Sequence, residues 1–589
     1  MHSIKWGLPY ITQYKGRLIF GQIINLINIL LAMVNPYVAG LIVRNVIEGA
    51  QHDLLFRYLF IMIGITVYRS VARYLFLLLF ETTSQKILFE LRRDVYHKLH
   101  IQNFSWFDKN RVGDIMSRMT GDLDAIRHFI AFDLHAIPEN VVLYIVAVIV
   151  MSTISLPLTL ALLVTTPIIM FAAFKQSKEI RPAFRNVREQ FSNLNSICSE
   201  NIGGNRVVKA FTKEAHEIEK FTIGNQAFYD SNMEAAEVRV KYFPIMETCA
   251  AVLPLILIFV GGLITIWGYI ELWQLVAFSG YLWMINNPSR MFTWCVNDIQ
   301  NAATSLDKVH DMMKQDIPII TPAENAITKE IKGTVEFRGV NFKYDRFEPS
   351  TPLTLKNITF SAKAGQTIGI VGETGSGKTT LVALIARFYD VLDGEILVDG
   401  VNVKDYSLPN LRSHIAYAKQ DVFLYSDTVE GNIVYGVPEA DMALVYESAT
   451  IADADEFISK MPEGYDTIIG ERGVGLSGGQ KQRISLARAI AVEPSILVLD
   501  DVTSAVDMET EQRIQESLAK KLSNRNENGN GDTRTTFIVA HRLSSVKNAD
   551  LILVLDNGAI VERGTHEELL ALNGYYTKIH AMNSVKSFN

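Results

Sequence analysis

The sequence predicts two domains of different class: an all-α transmembrane domain of six helices, then an α/β domain built around a phosphate-binding loop. Three observations predict it. Hydrophobic residues make up 49% of the 589-residue chain and mean hydropathy is +0.15, with the apolar excess concentrated in the first half. Uncharged runs in that half reach bilayer-spanning length. In the second half short β-like runs alternate with helical patterns. One such run, Thr367–Val371, leads into Gly372-Glu373-Thr374-Gly375-Ser376-Gly377-Lys378-Thr379.

The first uncharged run, Leu18–Val43, has 26 residues. Asn25, Asn28, Asn35 and Pro36 interrupt it, so one face is expected against other helices rather than lipid. The expected spans are 18–43, 54–80, 133–154, 158–174, 245–267 and 272–294. The second carries Arg69 and Arg73, and the sixth carries Asn286, Asn287, Pro288 and Arg290. Short connections (44–53, 155–157, 268–271) alternate with long ones (81–132, 175–244). The long ones are rich in Lys and Arg, as is the N-terminal stretch with Lys5, Lys15 and Arg17. The positive-inside rule then places both termini, both long connections and the second domain in the cytoplasm of a multi-pass protein of the cell membrane. The first apolar segment is too long for a cleavable signal peptide.

Both long connections read as helix, over 81–99 and 179–219. Each contains a break that mixes aromatic and charged residues, at Asn103–Gly113 and Lys209–Glu214. Such a mixture fits an element that docks on another domain. The net charge of −7 gives no nucleic-acid footprint. Cys198, Cys249 and Cys295 form no metal-like pair and read as small buried hydrophobes.

Residues 316–333, with Pro318 and Pro322, read as a linker, and 334–589 as the second domain. The motif Gly372–Thr379 lies between a strand and a helix expected over 380–388. Its glycines turn backbone N–H groups toward phosphate oxygens at the positive end of that helix, which continues with Thr380. Lys378 should reach the β- and γ-phosphates, and the Thr379 hydroxyl should sit on Mg²⁺. Ile496–Asp500 reads as a buried strand whose terminal Asp500 would hold Mg²⁺ through water. Leu476-Ser477-Gly478-Gly479-Gln480, ahead of a basic helical run over 481–490, forms a second anion-binding pattern. Gln420 follows the strand-like run 415–418 at a domain edge, and His541 follows another at 536–540. Tyr344 lies where an aromatic ring can stack on a base. Asp556-Asn557-Gly558 is a hairpin turn, Thr565–Glu568 a capping box, and Asn524–Asp532 a surface loop.

Taken together these residues resemble the ABC transporter family over essentially the whole chain. In family order they match the aromatic A-loop (Tyr344), Walker A (Gly372–Thr379), Q-loop (Gln420), signature (Leu476–Gln480), Walker B (Ile496–Asp500), D-loop (Ser504–Asp507) and H-switch (His541). The resemblance implies an all-α six-helix transmembrane domain of the ABC exporter type followed by an α/β P-loop ATPase domain. The two breaks would be coupling helices. It implies ATP and Mg²⁺ as cofactors, with Thr379, Gln420 and Asp500 around the metal and Asp501, His541 and Gln420 around the attacking water. Six helices and one ATPase make half a transporter. A second half-transporter is therefore the implied partner, and Ser477, Gly479 and Gln480 would face that partner's ATP.

One position departs from the family. Where the family has a glutamate after the Walker B aspartate, this chain has Asp501. Its carboxylate falls short by one C–C bond, roughly 1.5 Å, and misplacement of about 1 Å can lower a rate on the order of a hundredfold. The pattern resembles the degenerate-site subunits of bacterial heterodimeric multidrug exporters. The implied cargo is small, hydrophobic or amphipathic. Polar groups in the spans mark a substrate path: Arg69, Arg73, Glu139, Glu247, Asn286, Asn287 and Asp298. Trp283, Met284, Met291, Phe292 and Trp294 offer aromatic and soft surface. Glu247, Trp283 and Met291 are the chosen cargo residues, Glu247 as a cation sensor. Two alternatives remain: a lipid or lipopeptide flippase of the same fold, and a regulatory ATP-binding subunit that gates a partner without pumping.

Overall fold

The computed structural model describes residues 2–315, 319, 326–345, 351–527 and 534–586. Half of the expected linker and residues 528–532 of the expected loop fall outside these, as do the side chains of Asn287, Pro288, Arg290, Phe292 and Trp294. The chain forms two compact units. One is Met1–His100 with Val112–Gln315; the other is Ile101–Arg111 with Asp316–Asn589.

The first unit is helical. Lys15–Ala32 is followed by Val34–Leu41, and the break at Met33 has a local cause. Pro36 clashes with the carbonyl four residues back, which belongs to Ala32. Long helices follow: Leu54–His100, Leu134–Ile154, Thr165–Gly203, Glu214–Ile256 and Leu272–Lys314. At 1.5 Å per residue, the 47 residues of Leu54–His100 run about 70 Å, more than twice a hydrocarbon core. Among the described residues five helical stretches are long and apolar enough to cross a membrane: Lys15–Glu48, Leu54–His100, Val112–Ile154, Leu156–Gly203 and Glu214–Ile266. The sixth segment runs unbroken as Leu272–Lys314 through the interrupting polar residues. The core joins Leu143, Ala147 and Met151 to Leu158, Leu162, Leu253, Ala277, Phe278 and Tyr281. The buried Tyr281 hydroxyl donates to the Met33 carbonyl at 2.8 Å, at the break in the first span.

The second unit has two sheets. One is antiparallel: β1 (Val335–Phe342), β2 (Leu355–Ala362), β4 (Asp393–Val398) and β5 (Val401–Asn402), in the order β2-β1-β4-β5. The other contains β3 (Thr367–Gly372), β6 (Ile415–Ala418), β7 (Ile496–Asp500), β8 (Thr535–Val539), β9 (Leu551–Asp556) and β10 (Ala559–Gly564), in the order β10-β9-β3-β8-β7-β6. All its pairings are parallel except β9–β10. That hairpin turns at Asn557 and Gly558, both with positive φ, as the sequence pattern requires. Thr565 caps the helix His566–Ala571 through the expected capping box.

Several boundaries differ from expectation, among them the helix expected over 380–388, which runs Lys378–Ile385. Ile327 pairs with Tyr406, Ile331 is buried, and Asp399 accepts from the backbone N–H groups of Lys332 and Thr334. The end of the expected linker is therefore part of the ATPase sheet layer, because its apolar residues fall on a buried face. Asn524–Glu527 is the last turn of the helix Met508–Glu527, since the Asn-rich run begins with residues a helix end tolerates. The helix expected over 179–219 stops at Gly203, where paired glycines weaken it, and a short helix Asn205–Ala210 follows.

Candidate functional site

Four neighbouring parallel strands of the larger sheet, in the order β3, β8, β7, β6, deliver the motif residues at their carboxyl ends. In α/β sheets that edge is where ligands bind. β3 runs into the phosphate loop, β8 leads to His541, β7 ends in Asp500 and Asp501, and β6 leads to Gln420. Register ties them: Ala418 pairs with Leu499, and Asp500 with Val539.

The loop backbone needs glycine at Gly377, which has φ 100° and starts the helix Lys378–Ile385. The Lys378 Nζ folds over the loop and donates to the carbonyls of Gly372 (2.9 Å) and Glu373 (2.8 Å). Burial holds the Lys378 ammonium below its ordinary range, against the pull of Asp500 and Asp501. The Ser376 hydroxyl is buried without a hydrogen-bond partner among the described residues. A lysine, an unsatisfied hydroxyl and a helix N-terminus in one loop suit a phosphate chain. Tyr344 packs edge-on to Phe342 and Tyr389, and its hydroxyl lies 2.8 Å from Thr380 Oγ1.

The Thr379 hydroxyl donates to Asp500 Oδ1 at 3.0 Å, and the Tyr417 hydroxyl donates to Asp500 Oδ2 at 3.0 Å. Burial pushes Asp500 up from the usual carboxylate range, and these two donors oppose it. An all-oxygen pair, one of them an acid, fits a hard cation. Asp501 sits at φ 52°, in the left-handed region. Its Oδ2 accepts from Gln420 Nε2 at 3.3 Å and lies 4.0 Å from His541 Nε2. Burial pushes Asp501 up as well, with His541 and Ser504 pulling the other way.

Ser477 and Gly479 are held elsewhere, at the start of the helix Gly478–Ala491. Ser477 and Gln480 form a reciprocal capping box: Ser477 N–H donates to Gln480 Oε1 at 2.9 Å, and Gln480 N–H donates to Ser477 Oγ at 3.3 Å. Gln480 therefore braces the helix start, and its side chain turns back on the backbone. A Cβ at Gly479 would come within 2.8 Å of the Ala505 carbonyl. Gln482 completes this contact, donating to Ser504 Oγ at 3.1 Å and accepting from Ala505 N–H at 3.0 Å. The sequence reading did not find Gln482 or Tyr417. Neither belongs to a motif, and only the fold brings them to their partners.

Comparison with known proteins agrees with this geometry. Residues 18–289 match the model of the ABC transporter transmembrane region, and 355–504 match that of the ABC transporter ATPase domain, described simply as "ABC transporter". The chain is 36% identical over 591 residues to "Uncharacterized ABC transporter ATP-binding protein YknU" of Bacillus subtilis, covering 100% of this chain and 99% of the relative. It is 35% identical over 594 residues to "Putative multidrug export ATP-binding/permease protein SAB1799c" of Staphylococcus aureus, covering 99% and 100%. The chain is an ABC transporter. In fold it is similar to a bacterial Atm1-family ABC exporter solved with ATP bound, at a TM-score of 0.80 and 24% identity, over 97% of this chain and 99% of that one. As an ABC transporter with one membrane region and one ATPase domain, it binds ATP and couples its use to transport across a bilayer. Half-transporters of this kind work in general as dimers.

The membrane unit of this transporter has an open cavity of about 630 Å³, within the range of small-molecule sites. Trp283 and Met291 line it, as do Arg69, Arg73 and Glu139. Glu247 does not; it lies half-buried on Glu214–Ile256, with no place in this cavity wall. Arg73 Nη1 donates to both Glu139 oxygens, at 2.8 and 2.9 Å. Asn25 Nδ2 donates to Glu139 at 3.1 Å, and Arg69 Nε donates to Asn28 at 3.1 Å. The asparagines that interrupt the first span therefore face the other helices, with Asn25 and Asn28 both buried.

In the second unit the helix Phe104–Lys109, capped by Asn103, packs on the ATPase fold. The Phe104 ring lies 4.5 Å from Phe388, centroid to centroid, and Lys419 Nζ sits 4.9 Å above Phe104. The Tyr389 hydroxyl donates to Asp108 at 2.9 Å.

Proposed function

We propose that this chain is one half of a heterodimeric exporter of hydrophobic and amphipathic compounds, and that its own ATP site hydrolyses slowly. The observation that carries the reading is Asp501. The backbone there is left-handed, so the direction of the side chain is fixed, and the carboxylate is one methylene shorter than the family's glutamate. Gln420 and His541 both approach the same oxygen, which leaves little freedom to reach further. In this reading Lys378, Ser376 and the loop N–H groups hold the phosphates and Tyr344 meets the base. Mg²⁺, where bound, would be held by Thr379, Asp500 and Gln420 and would neutralise phosphate charge.

The intact signature supports a second, faster pocket. Ser477 and Gly479 would complete the ATP site of a partner that carries the missing glutamate. The short helix Asn205–Ala210 supports docking on that partner, since Val207 and the following Phe211 are exposed at 61% and 72%. Exposed apolar side chains beside a helix break mark contact surface. The name of the staphylococcal relative supports drugs as cargo, and Trp283 and Met291 in the cavity wall suit varied apolar surfaces. A second reading, a flippase for anionic lipids or lipopeptides, draws support from Arg69. Glu139 offsets Arg73, whereas the hydrogen bond of Arg69 goes to neutral Asn28. That leaves the cavity wall with an excess positive charge.

The test is ATPase activity of the chain alone and beside a glutamate-bearing partner half. Low activity alone and high activity in the pair is expected, with Ser477→Ala abolishing the pair's activity and Asp501→Asn sparing it. Full activity alone, lost in Asp501→Asn, overturns the slow-site reading.

A further inference from the structure

The third membrane segment enters through a π-helical turn. Phe129–Asp133 is π-helical between the α-helices Leu123–His128 and Leu134–Ile154. Residues five apart on an α-helix lie about 140° apart around the axis. A π-turn closes i→i+5 hydrogen bonds and stacks such residues on one face, and π-turns recur at functional sites. Here the turn sets His128 over Asp133, with His128 Nδ1 3.8 Å from Asp133 Oδ2. The helix Leu272–Lys314 adds Asp298 to the same point. One ligand atom from each of His128, Asp133 and Asp298 lies within 4.8 Å of the other two.

Asp133 is the anomaly. Its side chain is 0% exposed, and among the described residues neither carboxylate oxygen has a partner that meets hydrogen-bond geometry. The buried Cys295 thiol, a weak donor, lies against the same carboxyl from one turn away on the helix of Asp298. Removing one carboxylate from water without a partner costs several kcal/mol, and a second acid alongside adds repulsion. A divalent cation relieves both at once.

We propose that His128, Asp133 and Asp298 hold one divalent first-row transition-metal ion, Zn²⁺ as the prototype, with solvent completing its coordination. An imidazole beside two carboxylates favours such an ion over Mg²⁺, which prefers an octahedron of oxygens and water. Zinc bonds of about 2.0–2.3 Å require donors roughly 3.4 Å apart, so the donors must close in slightly. His128 is half exposed and free to swing. The bound ion pins the turn before the third membrane helix to the sixth, two elements that are distant in sequence. The cluster adjoins the cavity, since Phe132 of the same turn and His135 line its wall, but none of the three proposed ligands does.

The experiment uses the full chain in detergent, stripped with a chelator and then given Zn²⁺ alone. Equilibrium dialysis with elemental analysis is expected to find one Zn²⁺ per chain, retained in millimolar Mg²⁺, with a raised thermal midpoint. Co²⁺ should give the visible bands of a low-coordinate N/O site. Asp133→Asn and Asp298→Asn should each weaken Zn²⁺ binding at least about tenfold. Asp133→Asn should also raise the metal-free midpoint, because it removes a buried charge. Retained ATP binding shows that these variants fold. If they do not fold, the half-exposed His128→Gln must show the same loss of affinity. No Zn²⁺ on the parent chain, or equal Zn²⁺ on parent and on the folded variants, overturns the site.

Discussion

The ATP site and the membrane cavity solve the problem of holding charge by opposite routes. In the ATPase domain, Lys378 of the phosphate loop is held by carbonyls five and six residues away, and Ser477 of the signature by a residue three away. In the cavity, Arg73 is held by Glu139 across 66 positions, and Asn25 reaches Glu139 across 114. A charge anchored to nearby backbone can be deleted without loosening the fold. A charge anchored only by another charge on a distant helix cannot. Function should fail first in one region and stability first in the other.

Lys378→Ala should break that comparison least and show the largest effect. We expect ATP affinity to fall about a hundredfold, or 2.7 kcal/mol, with the thermal midpoint nearly unchanged, measured by nucleotide titration and thermal unfolding of one preparation. Arg73→Ala should do the reverse. Stranding the Glu139 carboxylate should cost about 2 kcal/mol, below the usual 3–5 for a fully buried pair because the Arg73 side chain is 38% exposed. ATP binding should survive, and Arg73→Met with Glu139→Gln should recover most of the midpoint. If the double variant is no more stable than Arg73→Ala, the cavity charges do not hold each other. Gln482→Ala should cost about 1–2 kcal/mol, since it leaves the Ala505 N–H unpaired. It should also slow the paired complex while sparing ATP affinity.

The smallest effect concerns pH. Burial raises the Asp500 carboxyl above its unfolded value, so the folded chain binds a proton that the unfolded chain has released. The stability tied to this group is full below the ordinary aspartate value of about 3.9 and is lost as pH rises through the raised one. Asp500→Asn should therefore raise the nucleotide-free midpoint at neutral pH, and the gain should vanish on acidification. A constant gain across pH would assign it to packing instead.

The same contrast explains what could be read from the sequence. The strands β3, β7 and β8 and the residues at their ends were legible because each motif fixes local backbone. Gly377 must be left-handed, and Asp500 must end a buried strand. Trp283 and Met291 fall on the cavity wall and Glu247 does not, a difference the sequence does not carry because helix rotation depends on neighbours that hydropathy does not specify. Tyr417 and Gln482 were invisible for a related reason: each acts on a residue that only sheet register or helix packing brings near. The pairing of His128 with Asp133 was hidden because a helical pattern of 3.6 residues per turn places them on different faces, and only the π-turn aligns them.

The short helix Phe104–Lys109 has a practical consequence for dissection. It lies between two membrane segments in the chain yet packs with the ATPase fold. An ATPase fragment starting after the linker would leave behind the ring that covers Phe388 and the carboxylate that holds Tyr389. Such a fragment would present an aromatic socket to solvent and tend to self-associate. Adding the eleven-residue peptide of 101–111 in trans should fill that socket and keep the fragment monomeric.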